Sequence, residues 1–168
     1  MRALALLALA ACGATDFDVS QDVPEQRITG SPLPGILGQI LPVPVAIDIQ
    51  EQIEARETGP IDAIHLRSLT LSITITAEGD RDLDDFGFID RVDLFVESSQ
   101  AGSSLPRVRV ASATRPGAVR SFAFDVVPDV DLLPYVNEGS QMTADGEASV
   151  PPDDVTYDGE AVFRVKPI

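Results

Sequence analysis

Leu69-Thr70-Leu71-Ser72-Ile73-Thr74-Ile75-Thr76 sets an aliphatic residue at every odd position and a hydroxyl residue at every even one. Successive side chains of a strand point to opposite faces, so this octet reads as a strand with one apolar and one Thr/Ser face. Ile64 and Leu66 carry the opposite parity, which predicts a bulge near Arg67-Ser68. The same period of two recurs in Val92, Leu94 and Val96, in Val108 and Val110, in Phe122, Phe124 and Val126, and in Ala161, Phe163 and Val165. Residues 142–150 form a weaker strand of small residues, and the connections are rich in Gly, Asp, Ser and Pro. No strand–helix–strand alternation appears, so a parallel sheet is not expected. The pattern predicts an all-β fold, an antiparallel β-sandwich of about seven or eight short strands.

The chain has 168 residues, enough for one domain. Its 44% apolar content is near the globular norm and excludes the disordered class. With 27 acidic and 12 basic residues the formal charge is −15. Phosphate-backbone affinity needs clustered Lys and Arg, so nucleic acid is excluded as a partner. No repeat of solenoid or propeller period occurs.

Met1-Arg2 is followed by nine residues that are only Ala or Leu, and then by Cys12, the only cysteine. A short apolar run behind a basic residue, ending in small residues, has the form of a secretory leader. It is too short to span a bilayer, which takes about 20 apolar residues. Leu9-Ala10-Ala11-Cys12 resembles the lipobox of bacterial lipoproteins. That resemblance covers residues 1–12. It implies cleavage before Cys12, a diacylglyceryl group on its sulfur and acylation of the new amine, palmitate included. Two or more acyl chains anchor stably, so the implied partner is a membrane. Gly13, where Asp would imply retention at the inner membrane, points to the outer membrane. A cleaved signal with an incidental cysteine is the alternative.

Residues 1–11 are thus expected as signal peptide, 12–38 as lipidated N-terminus and tether, and 39–168 as the sandwich. The tether carries Asp16, Asp18, Asp22 and Glu25, with residues 23–28 as a possible short strand inside it. A flexible stretch of that length spans roughly 25–30 Å, enough to lift a domain off a surface. Residues 33–49 are apolar but broken by Pro34, Pro42 and Pro44. Val45, Ile47 and Ile49 read as a short edge strand, and residues 48–56 as a helical turn or two. This segment either covers one end of the sandwich or is an exposed apolar patch. The globular part also resembles uncharacterised acidic β-sandwich lipoproteins of GC-rich Gram-negative bacteria. That likeness rests on the Leu69–Thr76 strand, Asp84-Asp85-Phe86, Gly102-Ser103-Ser104-Leu105-Pro106 and Asp153-Asp154-Val155. An immunoglobulin-like or LEA-type-2-like sandwich is the implied form, and neither supplies an activity.

Asp80, Asp82, Asp84 and Asp85 match, by spacing alone, the carboxylates that open a calcium loop, with Asp90 a possible fifth ligand. The EF-hand pattern then fails, since Asp85 stands where Gly is needed and Arg91 where Glu is needed. The alternative is a solvated acidic turn that keeps strand edges apart. Asp153, Asp154, Asp158 and Glu160 form a second acidic group, but glycoside hydrolysis needs a cleft and a set separation. His65 is the only imidazole, and no G-x-S-x-G elbow, Walker loop or zinc set accompanies it. The reading is a membrane-anchored, non-enzymatic accessory or interaction protein with an unidentified protein partner and no required cofactor. Its alternative is a ligand- or calcium-binding lipoprotein using acidic loops at one end of the sandwich.

Overall fold

The strand read from 69–76 is the second half of β2 (Ile61–Ile73). In this computed structural model, which describes residues 15–31, 33, 35, 47–75 and 83–168, Leu69, Leu71 and Ile73 are buried while Thr70 and Ser72 are half-buried. The register of β2 against β8 (Val155–Pro167) shifts between Leu66 and Ser68, the bulge the parity change requires. That shift lets Ile64 and Leu66 enter the same core as Leu69. Ile75, expected on the apolar face, is 77% exposed because β2 ends at Ile73.

The fold is an antiparallel β-sandwich of two four-stranded sheets. One has the order β1-β8-β2-β5, with β1 at Phe17–Ile28 and β5 at Ser121–Ala123. The other has the order β6-β4-β3-β7, formed by Asp125–Val126, Val108–Thr114, Ile89–Ser98 and Ser140–Ala148. Two short helices, α1 (Gln50–Glu54) and α2 (Leu133–Glu138), flank one end. Val92, Leu94 and Val96 from β3 meet Leu71, Phe163 and Val165 from the facing sheet in one core. An aromatic group of Phe86, Phe122, Phe124 and Tyr157 fills the other end, with the Phe86 and Phe122 rings edge to face at 4.7 Å.

Three expectations are corrected. The tether gives up Phe17–Ile28, which pairs with β8 from Phe17↔Val165 to Ile28↔Val155. Its Val19, Val23 and Ile28 enter the core, while Asp22 and Glu25 stay outside. A register shift between Val23 and Gln26 accommodates Pro24, which an edge strand tolerates because one side of its backbone faces solvent. The single strand expected over 122–126 is two: β5 pairs with β2, β6 with β4, and Phe124 turns the corner between the sheets. At that corner the Phe124 N–H donates to the Leu69 carbonyl at 2.9 Å. The edge strand expected at Val45 to Ile49 is not formed over 47–49, where the Asp48 N–H donates to the Gln21 side chain instead of a strand. Ile47 and Ile49 are nonetheless buried, Leu33 is exposed, and the helical turn expected nearby is α1. Val45, Thr76 and residues 36–46 lie outside the described residues.

The strand directions define two ends. The near end holds Phe17, Ile61, Pro167 and both helices; the Arg56 guanidinium sits 5.0 Å over the Phe17 ring, and the Leu132 N–H donates to the Ile64 carbonyl. The far end holds Ile28, Ile73, Ile89, Ala148 and Val155, with the described residues 83–88 and 149–154 beside them. At 13 residues, β2 separates the ends by roughly 40 Å.

A chain beginning at Gly38 would leave the outer edge of β8 unpaired and take Val19, Val23 and Ile28 out of the core. Full burial of such side chains contributes about 1.5–3 kcal/mol each, so the loss approaches the total stability of a domain. Urea titration should show no cooperative transition for that chain, and a normal one for a chain beginning at Thr15. A cooperative melt with an unchanged midpoint from the shorter chain would return residues 17–28 to the tether.

Candidate functional site

The far end gathers three of the acidic residues that the sequence singles out, Asp84, Asp85 and Asp153. Asp84 and Asp85 lie between the end of β2 and the start of β3, because Phe86 is driven fully into the core and draws the loop over the sheet end. The Asp85 carboxylate accepts the Gly87 N–H at 2.8 Å, a local turn that the Asx side chain favours. Asp84, Asp85 and Asp153 line one cleft of about 370 Å³, whose apolar walls are Leu83, Phe88, Pro151 and Val155. Asp90 stands apart from it in an ion pair with Arg115 at 3.6 Å. Asp80 and Asp82 lie outside the described residues, as do Cys12 and the leader. Among the described residues no three His, Cys, Asp or Glu side chains are grouped as a metal site needs.

The second acidic group is divided by the fold. Asp153 belongs to the far-end cleft. Asp154 accepts the Gly30 N–H at 2.9 Å and pairs with Arg27, tying the chain after β1 to the loop before β8. Asp158 and Glu160 lie on the outer face of β8, where they share a shallow depression with Asp22, Glu25, Thr70 and Ser72. His65 is half-buried in β2 and donates from Nδ1 to the Val130 carbonyl at 3.1 Å. Ser103 donates to the Glu138 carboxylate at 2.6 Å. His65 lines neither the far-end cleft nor the depression on β8.

Two features had no signal in the sequence. Leu33, Ile75, Leu83 and Val119 are exposed in the connections at the far end, and Leu83 lines the acidic cleft. Only knowledge of where each strand stops could have placed them there. At the near end, half-buried Ile53, Ile61, Leu133 and Val136, with buried Ile64, line a groove of about 310 Å³ between the two helices and β2. Those residues come from three elements with no common spacing.

Ion pairs pin the outer faces. Arg164 donates from Nε to Asp18 at 2.5 Å, and Arg67 pairs with the same carboxylate. The Arg164 hydrogen bond, aided by both cations, holds the Asp18 carboxyl below its usual range. Arg107 does the same to Asp145 at 2.7 Å while stacking 3.8 Å over Phe95. Arg27 lowers Asp154, and Ser103 with Ser98 lowers Glu138. Burial pushes the Tyr157 hydroxyl up.

No family model and no curated protein matches the chain. Among solved structures, a chain of desmodium yellow mottle tymovirus aligns over 100% of this chain and 91% of its own, at 10% identity and a TM-score of 0.21. At that score the likeness carries no argument about fold or function.

The four lowered carboxyls set a direction for acid sensitivity. Each has a folded pKa below its unfolded value, so its contribution is present above the unfolded pKa and is lost as pH falls through the folded one. The urea midpoint should therefore drop as pH falls below about 4. Asp18→Asn should flatten part of that drop, because the variant has no Asp18 proton to gain. An identical pH profile in wild type and variant would remove Asp18 from the acid-sensitive set.

Proposed function

We propose that this is a lipid-anchored lipoprotein of the outer membrane that displays a non-enzymatic sandwich to a protein partner. The observation that carries the reading is Leu9-Ala10-Ala11-Cys12, which sets the only cysteine of the chain where lipidation requires it. The fold is compatible with display: the strand that follows Cys12 starts at the near end, while exposed Leu33, Ile75, Leu83 and Val119 stand at the far end. Apolar side chains grouped on a surface mark contact sites more often than isolated ones do. Cys12→Ser should release the protein from the membrane fraction and abolish incorporation of labelled palmitate. A Cys12→Ser protein that still sediments firmly with membranes would defeat the anchor.

A second reading, a cation- or ligand-binding lipoprotein, draws on the convergence of Asp84, Asp85 and Asp153 on one cleft with apolar walls. A ligand that binds only the native state must raise the thermal midpoint. On this reading calcium raises the midpoint and Asp153→Asn weakens the rise. An unchanged midpoint at millimolar calcium removes calcium from this reading.

A further inference from the structure

If Cys12 carries the lipid, as the proposed anchor requires, the structure changes how the domain meets the membrane. The expected tether would have allowed it to float clear. With Phe17 already in the sheet, only Gly13, Ala14, Thr15 and Asp16 separate the anchor from β1. Fully extended, the five steps from Cys12 to Phe17 reach at most about 17–18 Å. That is under half the length of the sandwich, so the domain must rest close to the bilayer, and the surface around Phe17 is the first to meet it.

The surface around Phe17 is the near end. Arg56, just past α1, covers the Phe17 ring, so α1 borders the point where the chain enters the sheet. Behind α1 opens the 310 Å³ groove, with Ile53, Ile61, Ile64, Leu133 and Val136 as its apolar walls and Gln50, Glu54 and Asn137 also lining it. Ile168, 81% exposed, stands at the same end, its N–H donating to the Pro60 carbonyl. A chain with net charge −15 is repelled overall by anionic headgroups, which favours apolar contact as the attraction at this end. A groove with five aliphatic walls, held within a short reach of hydrocarbon, is suited to acyl chains whose polar ends meet Gln50, Glu54 and Asn137.

We infer that the near end is a membrane-docking surface whose groove between α1, β2 and α2 takes acyl chains of bilayer phospholipids. This fixes the orientation: the far-end cleft and its exposed apolar residues point away from the membrane, roughly 40 Å along the strands.

The test uses the purified full-length lipoprotein in vesicles containing phosphatidylethanolamine with a photoactivatable diazirine in its acyl chain. After irradiation, peptides are mapped by mass spectrometry, with palmitate at Cys12 assayed in the same sample. Adducts should concentrate on peptides covering 50–64 and 133–137, and Ile53→Asn with Val136→Asn should lose them while the protein stays in the membrane fraction. In palmitate-bearing wild-type protein, adducts mainly on 83–88, 115–120 or 150–155 overturn the inference and leave the anchor standing. So does a groove without phospholipid adduct, whether its occupant is the protein's own acyl chains, a second copy or nothing. Absence of palmitate at Cys12 removes the anchor itself, and this inference with it.

Discussion

The strand β8 has a partner on each side for nearly its whole length, β1 along one edge and β2 along the other. Its Val155, Tyr157, Ala161, Phe163 and Val165 are all buried, so β8 contributes the core face of its sheet and cannot be left half-paired. An unpaired, buried backbone edge would strand donors and acceptors away from water. Gly159 shows how close the fit is, since a Cβ there would collide with the Thr70 carbonyl and lie 2.7 Å from Leu71. Sequence-distant pieces are joined through this one strand: β1 from the beginning of the described chain and β2 from its middle both hydrogen-bond to β8 and not to each other, with the Arg67–Asp18 ion pair spanning it.

That constraint also determines what each end of the molecule can offer. Because β1 completes β8, only residues 13–16 separate Cys12 from the sheet, which β1 enters at the near end. Because β2 stops at Ile73 and β3 begins at Ile89, Asp84 and Asp85 are left at the far end beside Phe86, which is fully buried. The carboxylates therefore gather around a cleft by the geometry of strand termini. The ion pairs of Asp18, Asp145 and Asp154 lie on exposed or half-exposed faces, where such pairs contribute little beyond fixing side-chain positions.

Much of the sandwich was legible because period two is a local property. The β2 alternation, the bulge at Leu66–Ser68 and the core positions of Val92, Leu94, Val96 and Phe163 all follow from parity along a single strand. β1 was less legible, although Phe17, Val19 and Val23 keep the odd parity. The acidic residues of its solvent face and Pro24 give it the composition of a linker, and only pairing with β8 makes that composition tolerable. The split at Phe124 was hidden for another reason: alternation continues unbroken through 122–126 while the hydrogen-bond partner changes sheet.

By itself the sequence determined the fold class, the parity of β2, β3 and β8, and the lipobox likeness at Cys12, since all three depend on residues a few positions apart. It could not determine which strands are neighbours. That choice rests on contacts across long separations, such as Asp18 with Arg164, 146 residues apart. Only the tertiary structure decided that residues 17–28 are sheet and not tether, that Asp158 and Glu160 lie away from Asp153, and that helices and acidic loops occupy opposite ends. The physical reason is the same in each case: backbone hydrogen bonding between β1, β8 and β2 sets the register, and the register sets which side chains share a surface.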